Sequence, residues 1–124
     1  MYGGNGDDTL HGGLGRDVMF GGTGRDIFDF DSTLESPKGS ATRDIIRDFD
    51  SSEHDLIDLS AIDAKTGKAG DQAFKFIGDK DFHDKSGELR FHNGKLEGDV
   101  DGDGHKDFQI KVDVDELAKS DFIL

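Results

Sequence analysis

Gly3-Gly4-Asn5-Gly6-Asp7-Asp8-Thr9-Leu10-His11, Gly12-Gly13-Leu14-Gly15-Arg16-Asp17-Val18-Met19-Phe20 and Gly21-Gly22-Thr23-Gly24-Arg25-Asp26-Ile27-Phe28-Asp29 follow one another without a gap. Each block reads G-G-x-G-x-D-x-U-x, where U is large and apolar. A Gly-rich linker would be free to vary its polar and apolar positions, whereas here Asp and the apolar residue return in register. The alternation after each Asp, as in Val18-Met19-Phe20, predicts a short strand with its middle side chain facing inward. Turn, strand, turn, strand then winds a parallel β-roll, with successive turns on opposite sides and turns two repeats apart stacked.

Three glycines in four positions permit positive φ and a tight turn whose carbonyl oxygens converge. The Asp in sixth place adds a charged oxygen. Hard oxygen donors at this density suit Ca²⁺, whereas Zn²⁺ favours His or Cys. Asp8 and Asp26 fall on one side of such a roll and Asp17 on the other, so Asp17 needs a further turn. Gly39-Ser40-Ala41-Thr42-Arg43-Asp44-Ile45-Ile46-Arg47 supplies it, with Asp44 in sixth and Ile46 in eighth place after an insertion over residues 30–38. Glu35, inside that insertion, is a further candidate ligand.

A chain of 124 residues is one domain by size. Its net charge of −13 argues against nucleic acid or an anionic membrane as partner. Leu, Ile, Val and Phe make up 31 of 124 residues, about 25%, so the apolar core is small and rich in Phe. Bound cations would offset the self-repulsion that so small a core leaves. There is no Cys, hence no disulfide or thiolate site, no N-terminal secretory signal and no apolar run of membrane-spanning length. Met1-Tyr2 fall where the eighth and ninth positions of a preceding repeat would be, so the chain reads as the end of a longer protein.

Beyond the repeats, Asp44–Phe49, Asp55–Ser60 and Phe74–Ile77 read as short strands. Asn93-Gly94 between Glu88–His92 and Lys95–Gly98 predicts a two-residue hairpin turn, because both turn positions need positive φ. Phe108–Val112 is a further strand, and 114–119 fits one helical turn. The expected architecture is all-β: a roll over residues 1–49, then antiparallel strands over 50–124 capping it.

Two other constellations compete. Asp99, Asp101, Asp103 and Asp107 occupy positions 1, 3, 5 and 9 of a loop with Gly104 at 6, as in an EF-hand, but position 12 is Ile110 rather than Glu. A plain Gly/Asp turn accounts for it better. The five histidines form no H-E-x-x-H pair, and His83 and His92 are isolated in the sequence, so surface imidazoles are expected. No G-x-S-x-G elbow or other catalytic set is present, which argues against an enzyme.

The nonapeptide is similar to the calcium-binding repeat of RTX proteins. Taken with Glu35-Ser36, Asp44–Phe49, Asp55–Ser60, His105–Ile110 and Asp121-Phe122-Ile123-Leu124, nearly the whole chain resembles the C-terminal domain of serralysin-type metalloproteases. The resemblance implies a noncatalytic, secreted module that holds Ca²⁺ in a parallel β-roll beside an upstream catalytic domain. It further implies side-chain ligands at Asp8, Asp17, Asp26, Asp44 and Glu35, and carbonyl ligands at Gly4, Gly6, Gly13, Gly15, Gly21 and Thr23. The insertion between Glu35 and Asp44 is longer than that family's pattern. Asp121-Phe122-Ile123-Leu124 resembles the family's uncleaved signal for type I secretion machinery. Related domains end lipases, polysaccharide lyases and alginate epimerases, so an alternative expectation is a polysaccharide-binding module using Arg16, Arg25, Arg43 and Arg47.

Overall fold

The computed structural model describes residues 1–70 and 72–124. Among the described residues there are eleven strands: β1 (Tyr2–Asn5), β2 (Thr9–Leu10), β3 (Val18–Thr23), β4 (Ile27–Asp29), β5 (Ile45–Ile46), β6 (Leu56–Asp58), β7 (Lys75–Phe76), β8 (Glu88–His92), β9 (Lys95–Asp99), β10 (Phe108–Val112) and β11 (Phe122–Ile123). They form two sheets, β1-β3-β5-β10-β9-β8-β7 and β11-β6-β4-β2. Strands from successive repeats alternate between the two sheets, as a roll requires. The pairs β1–β3, β3–β5, β2–β4 and β4–β6 are all parallel.

The core of the roll is built from one position of the repeat. Leu10, Met19, Phe28 and Ile46, each in eighth place, are buried, and so is Ile57. Their branched or long side chains come from alternate sheets and meet in the middle, where period-two alternation places them. Phe30, Phe49 and Leu59 continue this cluster toward Phe74, Leu89, Phe91, Leu96, Phe108, Ile110 and Val112. One apolar core therefore runs from the roll into the second half. Burying a Phe or Leu side chain contributes about 1.5–3 kcal/mol, so these residues carry most of the fold's apolar stabilisation.

Antiparallel strands after the repeats are present as β8–β9 and β9–β10. The β8–β9 turn has the expected form, with Asn93 at φ 51° and Gly94 at φ 73°. Three features differ from the expectation of an antiparallel second half. β6 and β11 join the parallel sheet, Phe122 lying opposite Ile57, β10 lies parallel to β5, and β7 lies parallel to β8. Parallel pairing thus continues past residue 49, because Asp55-Leu56-Ile57 repeats the Asp-x-apolar end of the nonapeptide without its glycines. The helical turn expected at 114–119 falls instead at Lys119–Asp121 as a single 3-10 turn. It leads directly into β11, with Asp121 Oδ2 accepting the Ala118 N–H at 2.8 Å.

Candidate metal centre

The sixth-place aspartates form two columns, one on each side of the roll. In the first, the Asp8 N–H donates to Asp26 Oδ1 at 3.0 Å and the Asp26 N–H to Asp55 Oδ1 at 2.9 Å. In the second, the Asp17 N–H donates to Asp44 Oδ1 at 2.8 Å. Asp17 and Asp44 are thus side by side, joined through the register Val18↔Ile45. Ser36 fixes the far side of Asp44, its Oγ accepting the Asp44 N–H at 2.8 Å while donating to the Gln109 carbonyl at 2.6 Å.

Asp26, Asp44 and Asp55 each spend Oδ1 on this ladder. Oδ2 of Asp8, Asp17, Asp26 and Asp44 is buried without a hydrogen-bond partner among the described residues. A buried anionic oxygen with no donor is costly, and here the same atom of the same repeat position is orphaned four times. Burial pushes the Asp26 carboxyl above its usual range, the Asp8 N–H draws it back, and Asp8, Asp48 and Asp7 add repulsion that raises it. Burial likewise pushes Asp44 up to about 6, with Asp17 and Glu35 adding repulsion against the Asp17 N–H. These groups call for a cation, and hard carboxylate oxygens suit Ca²⁺.

Glycine makes room for the carboxylate. A Cβ on Gly12 would lie 2.9 Å from Asp17 Oδ2, and one on Gly21 would collide with Asp26 Oδ2. Gly22, at φ 99°, packs so closely on Gly4 that a Cβ there would meet the Gly4 carbonyl oxygen; a Cβ on Gly24 would lie 2.5 Å from the Gly6 oxygen. The first and third turns are therefore stacked, with the Gly4 and Gly6 carbonyls at their contact. A Cβ on Gly3 would meet the Gly21 carbonyl at 2.5 Å, which places that oxygen beside Asp8 as well. Gly13 and Gly15 have open space beside them. The Thr23 carbonyl accepts the Gly6 N–H at 2.8 Å.

Glu35 is buried, but its oxygens already have partners: Oε1 lies 3.2 Å from His11 Nε2 and Oε2 accepts the Asp31 N–H at 3.1 Å. Three acids that the sequence reading did not single out cover the third turn. Asp48 accepts the N–H groups of Gly21 and Gly22 at 2.7 and 2.9 Å. Glu53 accepts from Gly24 at 3.4 Å, and Asp55 closes the first column with its second oxygen on the Asp50 N–H. Counting from Asp50, Asp55 and Ile57 keep sixth and eighth place; that surviving pair was the available signal.

The acidic loop between β9 and β10 is self-contained. Asp99 accepts from Gly102 and Gly104 at 2.7 and 2.9 Å, Asp107 from Val100, Asp101 from Asp103 and Asp103 from His105. One oxygen from each of Asp99, Asp101, Asp103 and Asp107 lies within 4.8 Å of the others. Backbone donors therefore hold the loop's shape. Of the histidines, His83 sits against Glu88 at 2.7 Å.

Two outcomes follow. Asp26→Asn keeps the acceptor for Asp8 but removes the charge, so it is expected to stabilise the fold in EDTA and to weaken Ca²⁺ binding on the order of tenfold, about 1.4 kcal/mol. Denaturation in each condition reads the change of sign; the same sign in both would contradict the role given to Asp26. The raised Asp44 carboxyl means that the fold takes up a proton, a gain complete below the ordinary value of 3.8 and lost as pH rises through about 6. Calcium expels that proton, so calorimetric titrations should show affinity rising from about pH 5 to about pH 7 with proton release, and a flat profile would count against it.

A family model described as Peptidase M10 serralysin C terminal matches residues 1–124. Among solved structures, the chain is similar to the AlgE6R3 subunit of the Azotobacter vinelandii mannuronan C5-epimerase, with 26% identity and a TM-score of 0.61. That likeness covers 98% of this chain, which spans 65% of the other. No curated protein matches. With a family match over its full length, a two-sheet parallel roll and two columns of repeat aspartates, the chain belongs to the serralysin C-terminal family of peptidase M10.

Proposed function

We propose that this chain is a calcium-dependent folding and secretion module for an upstream catalytic domain, and has no catalytic role itself. The observation that carries the proposal is the set of four orphaned Oδ2 atoms on Asp8, Asp17, Asp26 and Asp44. With these we assign carbonyls of Gly4, Gly6, Gly13, Gly15, Gly21 and Thr23 as ligands, and Glu35 as the acid beside Asp44. Where Ca²⁺ is scarce, inside the cell, stacked carboxylates repel and the turns stay open. Outside, Ca²⁺ neutralises the columns and the roll closes. An ion that binds only the folded state adds about 1.4 kcal/mol per site at a tenfold excess over Kd, so two sites suffice to tip a marginal domain.

The terminal segment fits this order of events. Phe122 is buried and packs against Phe76 with ring centroids 5.0 Å apart, while β11 is paired to β6. If Asp121–Leu124 is the segment that the type I export machinery reads, it is readable only before the roll closes. Export of an unfolded chain through calcium-poor cytosol and folding in the extracellular medium satisfy that requirement together. Far-UV circular dichroism should show strand content rising from EDTA to millimolar Ca²⁺. Equal spectra in the two would sink the coupling.

A second reading, an anionic polysaccharide module, draws on a different face from the one first expected. Arg43 donates to Gln109 Oε1 at 2.7 Å and Arg47 pairs with Asp113 at 2.9 Å, so both are already engaged. Lys65, Lys75, Lys80 and Lys85 instead line one cleft of about 490 Å³ beside Phe76. In a chain of net charge −13 such a basic cleft favours an acidic polymer, and the AlgE6 protein is named for mannuronan. Titration with uronate oligomers should move amides around this cleft; no shift, or shifts spread over the whole surface, would remove the reading.

A further inference from the structure

The roll brings a histidine and two aspartates together where the linear sequence keeps them apart. His11 and Asp29 are the ninth residues of the first and third repeats, and the register Leu10↔Phe28 sets them side by side on the outer face of the β2–β4 sheet. Phe28 and Phe30 are both buried, so the intervening Asp29 and the following Asp31 turn outward together. His11 Nδ1 lies 3.5 Å from Asp29 Oδ2 and 3.6 Å from Asp31 Oδ2. Asp58 stands directly opposite Asp29 in the neighbouring strand, a like-charge pairing that disfavours the sheet unless a cation relieves it.

Both separations exceed an N–H···O bond of about 2.7–3.2 Å and lie within the reach of about 4 Å of an ion pair. Ligand atoms at about 2.0–2.1 Å from a tetrahedral Zn²⁺ stand about 3.3–3.4 Å from one another, close to both. The second ring nitrogen is held independently. Nε2 faces Glu35 Oε1 at 3.2 Å, and Glu35 is buried and anchored by the Asp31 N–H. With Nε2 on Glu35, Nδ1 is the nitrogen that faces the two aspartates, and an ion bound there replaces its proton. A carboxylate that fixes the tautomer of a metal-binding imidazole is the usual outer partner of such a ligand.

We propose that His11 Nδ1, Asp29 and Asp31 bind one Zn²⁺ ion, with Glu35 orienting the imidazole and water completing the tetrahedron. An imidazole with two carboxylates suits Zn²⁺ and not Ca²⁺, so this site is chemically separate from the aspartate columns. It needs the closed roll but not the secretion role. Glu35 is the one residue it shares with the calcium assignment, and the variants tested are therefore made elsewhere.

The test is a Zn²⁺ titration of the whole chain in saturating Ca²⁺, read by ¹H–¹⁵N spectra of the imidazole rings with circular dichroism on the same samples. His11, alone of the five histidines, should move to a metal-bound position at one equivalent, with Nε2 protonated. Asp31→Asn should weaken Zn²⁺ binding at least about tenfold and His11→Ala abolish it, both leaving the Ca²⁺-dependent spectrum unchanged. The proposal is overturned if His11 does not respond, if other histidines respond with it, if excess Ca²⁺ displaces the ion, or if Asp31→Asn binds as tightly as the parent. A roll that folds on Ca²⁺ yet ignores Zn²⁺ defeats only this inference. One that is fully folded in EDTA defeats only the folding role.

Discussion

Repulsion between stacked carboxylates is the constraint on which the rest of the structure depends. The repeat places Asp8 over Asp26 and Asp17 beside Asp44, and the backbone N–H of one residue satisfies only one oxygen of the next. The remaining oxygens are buried with no donor. Apolar burial works in the opposite direction, since Leu10, Met19, Phe28 and Ile46 gain only when the turns are brought together. The same closure that buries the eighth residue therefore forces the sixth residues into mutual contact. A divalent ion resolves the conflict because it binds where the charges converge.

The roll and the core were legible in the sequence because both follow from the nine-residue period. Sixth and eighth places fixed the register of β3 on β5, and with it the meeting of Asp17 and Asp44 across an insertion. The Asn93-Gly94 turn was equally readable, since its chemistry is local. What escaped was set by long-range pairing. Asp55 sits in a turn whose glycine places hold Asp50, Ser51 and Glu53, so the motif is invisible there although its last residues survive. The docking of β11 on β6 joins residues more than sixty apart and depends on how the second half folds back.

His11 shows the same limit in a sharper form. Spacing along the chain gave no ligand pair, because the relevant neighbour is one full double turn away. Only the stacking of ninth positions sets His11 against Asp29, and only the buried Glu35 in the insertion holds its second ring nitrogen. The insertion, which interrupts the repeat, thus contributes the group that orders its neighbours.

The two ends of the roll differ in what they offer another strand. At one end the smaller sheet is finished by β11 and the larger by β7, which lies beyond β10 and the β8–β9 hairpin. At the other, β1 and β2 leave their outer edges unpaired, with Tyr2 stacked on Phe20 at 4.7 Å and exposed to solvent. Unpaired parallel edges are templates for further strands, and short or covered ones are not. The edge strands therefore differ in what they can template: β1, with four residues, presents the longest pairing edge, whereas β2, β7 and β11 have two residues each.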